Sequence, residues 1–229
     1  MIKLLAVDID GTITFEDRRL DLAAVEALRK AESSGMRVVL ATGNIAEFAE
    51  AACVLIGTSG DFIAEDGGIV FDKEKKEEII LGGRGEAEKG LSALREVFPT
   101  IAETRQSPKR LTGLTIERTI SAKDAQKIFS ERGLNLVAID SGFAIHIKEP
   151  KINKGEALAL LAARKNLRMA EIAAIGDALN DVEMLKRAGV SFAVGNSCEE
   201  VKKIATHRLE ENHGKGVARA VEILLRMKG

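Results

Sequence analysis

The feature that most constrains this chain is a short apolar strand that stops on acid. Residues 3–8 (KLLAVD) run straight into Ile9-Asp10-Gly11-Thr12. An apolar run of that length reads as a strand buried on both faces. Such strands belong to parallel sheets covered by helices, and there ligands bind beyond the carboxyl ends. The next segments keep the alternation. Leu22, Val25, Ala27 and Leu28 recur at helical spacing behind Asp21, a suitable N-cap, and Gly35 closes the helix. Residues 37–41 (RVVLA) form a second buried strand, 45–56 a helix ended by Gly57, and 61–64 and 68–71 two short strands around a Gly67-Gly68 turn. After Pro150 come a helix at 154–166, a strand at 172–176 (IAAIG), a helix at 179–188, a strand at 190–194 and helices at 198–205 and 214–227.

The middle breaks this rhythm. Gly82-Gly83-Arg84-Gly85 is a breaker cluster, followed by a helix at 86–97, a strand at 112–118, a helix at 121–132 and strands at 135–139 and 143–148, the last two joined through Asp140-Ser141-Gly142. That order suits an antiparallel α+β unit. The expected class is α/β: a Rossmann-like parallel-sheet core in two pieces, 1–81 and 151–229, with a small α+β cap domain inserted at 82–150. Lys73–Lys76, mixed with Glu77 and Glu78, reads as a solvated turn.

Composition narrows the chemistry. With 34 basic and 35 acidic residues the net charge is −1. No global field favours nucleic acid or an anionic membrane, so an anionic ligand must be held by a few placed groups. No apolar run reaches the ~20 residues of a membrane span, and residues 1–7 are too short for a signal peptide. Cys53 and Cys198 make neither a disulfide framework nor a zinc site. A reducing, cytoplasmic setting is expected.

Four short blocks carry the chemistry-bearing residues. Asp8 and Asp10 share one side by the period of two, and two such close carboxylates repel unless a cation or proton intervenes. Magnesium suits them as a hard cation; two acids capping a loop is the plainer alternative. Thr42-Gly43-Asn44 follows the second strand, where a hydroxyl and helix-start amides suit a phosphate oxygen, although the triplet is also an ordinary cap. Lys154 opens a helix, an unfavourable place for a cation unless an anion lies near; a solvated lysine is the alternative. Asp177 and Asp181, with Asn180 between them, follow IAAIG; strand-end turn chemistry with a helix cap explains them equally well.

Taken together, the order DxDGT, TGN, Lys, GDxxND resembles the haloacid dehalogenase superfamily of phosphotransferases across nearly the whole chain outside the insert. That resemblance implies Asp8 as the nucleophile that forms an aspartyl-phosphate and Asp10 as the general acid and base. It implies Mg2+ as cofactor, held by Asp8, Asp177 and the Asp10 carbonyl, with Asp181 completing or orienting the metal shell. Thr42, Gly43, Asn44, Lys154 and Asn180 take the positions of phosphate or loop ligands. An insert between the second and third motifs, and a tail with Gly195-Asn196-Ser197 and Gly214-Lys215-Gly216-Val217, resemble the Cof-like branch. The shortness of the insert most resembles archaeal-type phosphoglycolate phosphatases, which implies 2-phosphoglycolate as substrate; a sugar phosphate or a phosphomutase reaction is the alternative. The expected partner is a small phosphorylated metabolite, with a homodimer as the assembly to test. Glu65-Asp66-Gly67-Gly68 departs from the pattern, since many relatives carry Asn before the first glycine; this touches only a local turn or cap contact. Arg105, Lys109 and Arg110 are candidate donors to a substrate carboxylate, with solvated surface cations as the alternative. His146 reads as a surface or cap residue rather than a metal ligand, and Cys53 as a small packed hydrophobe.

Overall fold

The computed structural model describes residues 1–227. In chain order its elements are β1 (Leu4–Asp8), α1 (Leu22–Ser33), β2 (Arg37–Ala41), α2 (Ala46–Ile56), β3 (Phe62–Ala64), β4 (Ile69–Asp72), β5 (Glu77–Ile80), α3 (Gly85–Val97), β6 (Leu114–Ile116), α4 (Ala122–Glu131), β7 (Val137–Asp140), β8 (Ile145–Lys148), α5 (Lys154–Arg164), β9 (Ile172–Gly176), α6 (Val182–Arg187), β10 (Val190–Ala193), α7 (Glu199–Ile204), β11 (His207–Arg208) and α8 (His213–Arg226).

Eight strands form one sheet in the order β11-β10-β9-β1-β2-β3-β4-β5. It is parallel from β11 to β3 and antiparallel from β3 to β5. Every residue of β1 is buried, because alternate side chains feed opposite layers. Leu5 and Val7 pack with Ala24 and Leu28 of α1, Cys53 of α2 and Val221 of α8. Leu4 and Ala6 pack with Leu158 and Leu161 of α5 and Met184 of α6. Burying each such Leu or Val stabilises the fold by about 1.5–3 kcal/mol. The expected α/β class and helix-covered sheet are present. The Asp21 side chain accepts from the Ala23 amide at 3.0 Å and starts α1 as anticipated.

Between α3 and β8 lies a second, antiparallel sheet, β6-β8-β7. One face, with Leu114, Ile116, Ile145 and Ile147, packs on Leu91 and Leu94 of α3 and Phe129 of α4 in a separate apolar cluster. The period of two turns Thr115, His146 and Lys148 to the other face, which lies over the core.

Several local expectations need correction. Glu77 and Glu78 belong to β5, not to a solvated turn: a one-sided edge strand keeps both acids in water while its amides still pair with β4. The expected helix at 179–188 opens with a 3-10 turn over Leu179–Asp181 before α6, because the Asp181 side chain folds back onto the amides of Asp177 and Ala178. The link from β3 to β4 is a 3-10 turn over Glu65–Gly67, not a two-residue Gly-Gly turn. Glu65 and Asp66 take left-handed φ values of 51° and 58°. Cys53 is buried as expected, and its thiol is pushed up to about 11, chiefly by burial.

Candidate active site

The three central strands bring the acidic blocks to one rim. Because β1 lies between β2 and β9, Asp8 ends beside Ala41, and the segments starting at Thr42 and Asp177 leave from neighbouring strands. One carboxylate oxygen from each of Asp8, Asp177 and Asp181 lies within 4.8 Å of the others. Gly11 makes this possible: its φ is +88°, and a β-carbon there would sit 2.5 Å from Asp177 Oδ2. The Gly11 carbonyl accepts from Asn196 Nδ2 at 2.9 Å and lies 2.8 Å from His213 Nδ1, so the tail motifs fix this turn.

Lys154 is fully buried. The Asn153 side chain accepts from the Glu156 amide at 2.9 Å, which starts α5 and aims the lysine inward. Lys154 Nζ donates to Asp8 Oδ1 at 2.5 Å and to Asp181 Oδ1 at 2.6 Å. Despite burial, those two carboxylates hold its pKa above the ordinary lysine value. Asp8 Oδ2 has no protein hydrogen-bond partner among the described residues. Asp181 is heavily engaged: its other oxygen, Oδ2, accepts from the amides of Asp177 and Ala178 at 3.0 and 3.1 Å. Of its two expected roles, completing or orienting the metal shell, this environment suits the orienting one.

The carboxylates remain under-compensated. Burial and the Asp181 charge push Asp8 well above the usual carboxylate range, against Lys154. The same two causes push Asp177 up to about 7, although Thr12 Oγ1 donates to its Oδ1 at 2.7 Å. An all-oxygen donor set with excess negative charge fits a hard divalent cation.

Asp10 sits opposite. Arg18 Nε lies 3.0 Å from its Oδ1, and Asn44 Nδ2 donates to its Oδ2. The Asn44 backbone amide, one of the donors expected for a phosphate oxygen, is already spent on Thr42 Oγ1 at 3.0 Å. The Asn180 side chain points to Asp66, not outward.

A cavity of about 310 Å³ joins this rim to the insert, with Asp8, Asp10 and Asn180 on one side and Arg105, Ser141, Phe143 and His146 on the other. The three cationic candidates separate here. Arg105 is exposed, lines the cavity and has no hydrogen bond or ion pair among the described residues. Lys109 lines a different hollow, beside Glu47, Glu50 and Glu78. Arg110 is buried, donates to Gly43 O at 2.6 Å and lies 3.5 Å from Asp66 Oδ2, so the reading of it as a solvated cation is wrong. His146, expected at the surface or in the cap, lies in the insert with its ring buried against Asp66.

Sequence reasoning missed Arg18, Lys148 and Ser141. The alternation Ile145-His146-Ile147-Lys148 did hold a signal, since it places two polar groups on one face. Arg18 lies in the loop after β1, stacked 5.8 Å from the Phe48 ring and 5.4 Å from Phe143, and no local pattern reveals that.

Comparison with known proteins follows the same lines. A phosphoglycolate phosphatase of Methanothermobacter thermautotrophicus is 39% identical over 220 residues, 96% of this chain and 97% of that one. Another phosphoglycolate phosphatase, from Archaeoglobus fulgidus, is 39% identical over 222 residues, covering 97% and 96%. The crystal structure of Thermoplasma acidophilum 0175 superposes with a TM-score of 0.87 at 24% identity, covering 98% of this chain and 99% of that one. The family model of haloacid dehalogenase-like hydrolases matches residues 5–84 and 86–221, and the chain belongs to that family.

Proposed function

We propose that the chain is a magnesium-dependent phosphomonoesterase that converts 2-phosphoglycolate and water to glycolate and phosphate. The observation that carries this reading is the convergence of Asp8, Asp177 and Asp181 around buried Lys154, beside a cavity roofed by the insert. The two relatives named phosphoglycolate phosphatase supply the substrate. Residues 82–150 serve as the cap.

Asp8, Asp177 and the Asp10 carbonyl would hold the ion, whose charge offsets that of the phosphoryl oxygens and of the crowded carboxylates. Asp8 attacks phosphorus through Oδ2, the oxygen Lys154 leaves free, and an aspartyl-phosphate forms as the P–O bond to glycolate breaks. Asp10 gives its proton to the departing alkoxide. It then removes a proton from the water that attacks the same phosphorus, returning Asp8 as carboxylate and releasing phosphate. Lys154 and the Thr42 hydroxyl offset charge on the transferring group. Arg105, the cavity cation without a protein carboxylate, receives the glycolate carboxylate. The cap excludes water during transfer.

The test is phosphate release from a panel of phosphomonoesters with Mg2+ present. The expected result is the highest kcat/KM on 2-phosphoglycolate. Preference for a hexose phosphate moves the substrate assignment, and no phosphate release without an acceptor sugar points to a mutase.

A further inference from the structure

Asp66 is fully buried in the left-handed turn after β3, and it meets three parts of the molecule at once. Its amide donates to Thr42 O at 3.0 Å, and the Glu65 amide donates to Asn44 O at 2.8 Å, so the turn is bolted to the Thr42–Asn44 segment. Its Oδ1 accepts from Asn180 Nδ2 at 3.1 Å, which ties it to the loop carrying Asp177 and Asp181. Its Oδ2 meets the His146 ring, with Arg110 at 3.5 Å, and its carbonyl accepts from Lys148 Nζ at 3.1 Å. The last three groups all come from the insert.

Glu65 adds a second hold on the same loop. One of its oxygens accepts from the Thr112 amide and hydroxyl, both at 2.7 Å, and the carboxylate also receives the Leu111 amide at 3.1 Å. Gly43 permits the approach, for a β-carbon there would lie 2.8 Å from the His146 ring and 2.9 Å from Asp66 Oδ1. From His146 the contact runs on: Nε2 lies 3.1 Å from Ser141 Oγ, in the hairpin that also bears Phe143 of the cavity wall. Two consecutive non-glycine residues at positive φ are costly, and the buried contacts on both side chains offset that cost.

We propose that Asp66 is a positioning residue that sets the insert on the core and the Asp177–Asp181 loop beneath it as one unit, so that the cavity roof and the acidic rim take up a single relative pose. Its role in turnover rests on the phosphatase reading; its role in docking does not. Asp66 touches no reacting atom. It acts through His146 on the cavity wall and through Asn180 on the rim.

The experiment compares the wild type with Asp66→Ala and Asp66→Asn by amide hydrogen exchange and by kinetics on 2-phosphoglycolate and p-nitrophenyl phosphate with Mg2+. In Asp66→Ala the Leu111 and Thr112 amides are expected to exchange at least tenfold faster, and KM for 2-phosphoglycolate to rise at least tenfold. Asp66→Asn, which keeps an acceptor for Asn180, is expected to fall between Ala and wild type. Unchanged exchange at Leu111 and Thr112 overturns the proposal. So does an unchanged KM with kcat lowered equally on both substrates, the signature of a smaller folded fraction. If Asp66→Ala does not fold, His146→Gln breaks the same contact from the other side and is held to the same two criteria. Faster exchange in Asp66→Ala alongside a wild type that releases no phosphate would sink the phosphatase reading and leave the docking role standing.

Discussion

Asp8 and Asp66 are both buried, yet their surroundings drive them in opposite directions. At the core rim, burial and the Asp181 charge raise Asp8 well above the carboxylate range, with Lys154 only partly opposing them. In the docking turn, burial also favours the neutral form, but His146, Lys148 and Arg110 outweigh it and hold Asp66 well below that range. One cluster gathers more negative charge than its protein cations can balance. The other surrounds its carboxylate with basic side chains of the insert. A buried acid under excess negative charge is poised for an external cation, whereas one ringed by donors is already satisfied from within the chain. On the two proposals made above, the difference separates a group that waits for chemistry from a group that holds two parts of a fold together.

The sharpest way to break that distinction is to neutralise each acid in turn. Asp8→Asn removes the charge of the oxygen proposed to attack phosphorus and is expected to lower kcat by at least ~10³-fold, about 4 kcal/mol of barrier, with the fold retained. Phosphate release and circular dichroism check it; full activity ends the mechanism. Asp66→Asn, by contrast, leaves Arg110 buried without its carboxylate. Breaking a buried pair from one side costs about 3–5 kcal/mol, so the urea midpoint is expected to fall well below that of the wild type.

Asp177→Asn is expected to move stability the other way in the presence of a chelator. The folded pKa of about 7 lies above the ~4 of an unfolded aspartate. Between those values the native state binds more protons than the unfolded one, so metal-free wild type loses stability as pH rises from about 4 to about 7. The Asn variant lacks that slope, and its advantage should widen across the same window. Saturating Mg2+ reverses the order, since a ligand at 100 times its Kd adds ~2.7 kcal/mol to the protein that binds it. Urea titrations at several pH values, with chelator and with Mg2+, read both effects. A wild type whose midpoint ignores Mg2+ contradicts the cation site.

The same two regions differ in how openly the sequence announces them. The rim was legible because parallel strands buried on both faces leave unbroken apolar runs, and the candidate site residues sit where those runs stop: KLLAVD at Asp8, RVVLA before Thr42, IAAIG before Asp177. The docking turn was not. Asp66 stood out only as a departure from Asn and read as a local turn contact, because its partners Arg110, His146 and Asn180 lie 44, 80 and 114 positions away. Spacing along a chain reports neighbours on one element, and a contact between a core turn and an inserted sheet has no such spacing. β5 escaped for another reason. An edge strand with Glu77 and Glu78 in water carries the composition of a turn. Arg110 shows how type alone misleads: it shares a loop and a charge with Arg105, and only the fold shows that Asp66 has already claimed it.

That last contrast sets the smallest expected effect. If a cation must face the cavity to meet substrate, Arg105 and Lys109 should part company although they lie four positions apart. Arg105 faces the cavity with no carboxylate of its own. Its replacement in Arg105→Ala is expected to raise KM for 2-phosphoglycolate about tenfold, a loss of ~1.4 kcal/mol, with kcat nearly unchanged because the contact is made equally in ground and transition states. A phosphate ester without a carboxylate should show no such penalty, since it has nothing to offer the guanidinium. Lys109 lies over the separate acidic hollow, and Lys109→Ala should leave both substrates within about twofold, as for most surface changes. Steady-state kinetics on the two esters decide it. Equal effects of the two substitutions, or a KM rise that ignores the carboxylate, would mean that an unpaired cation in this cavity is only a solvated one, and that the glycolate end is read by another group.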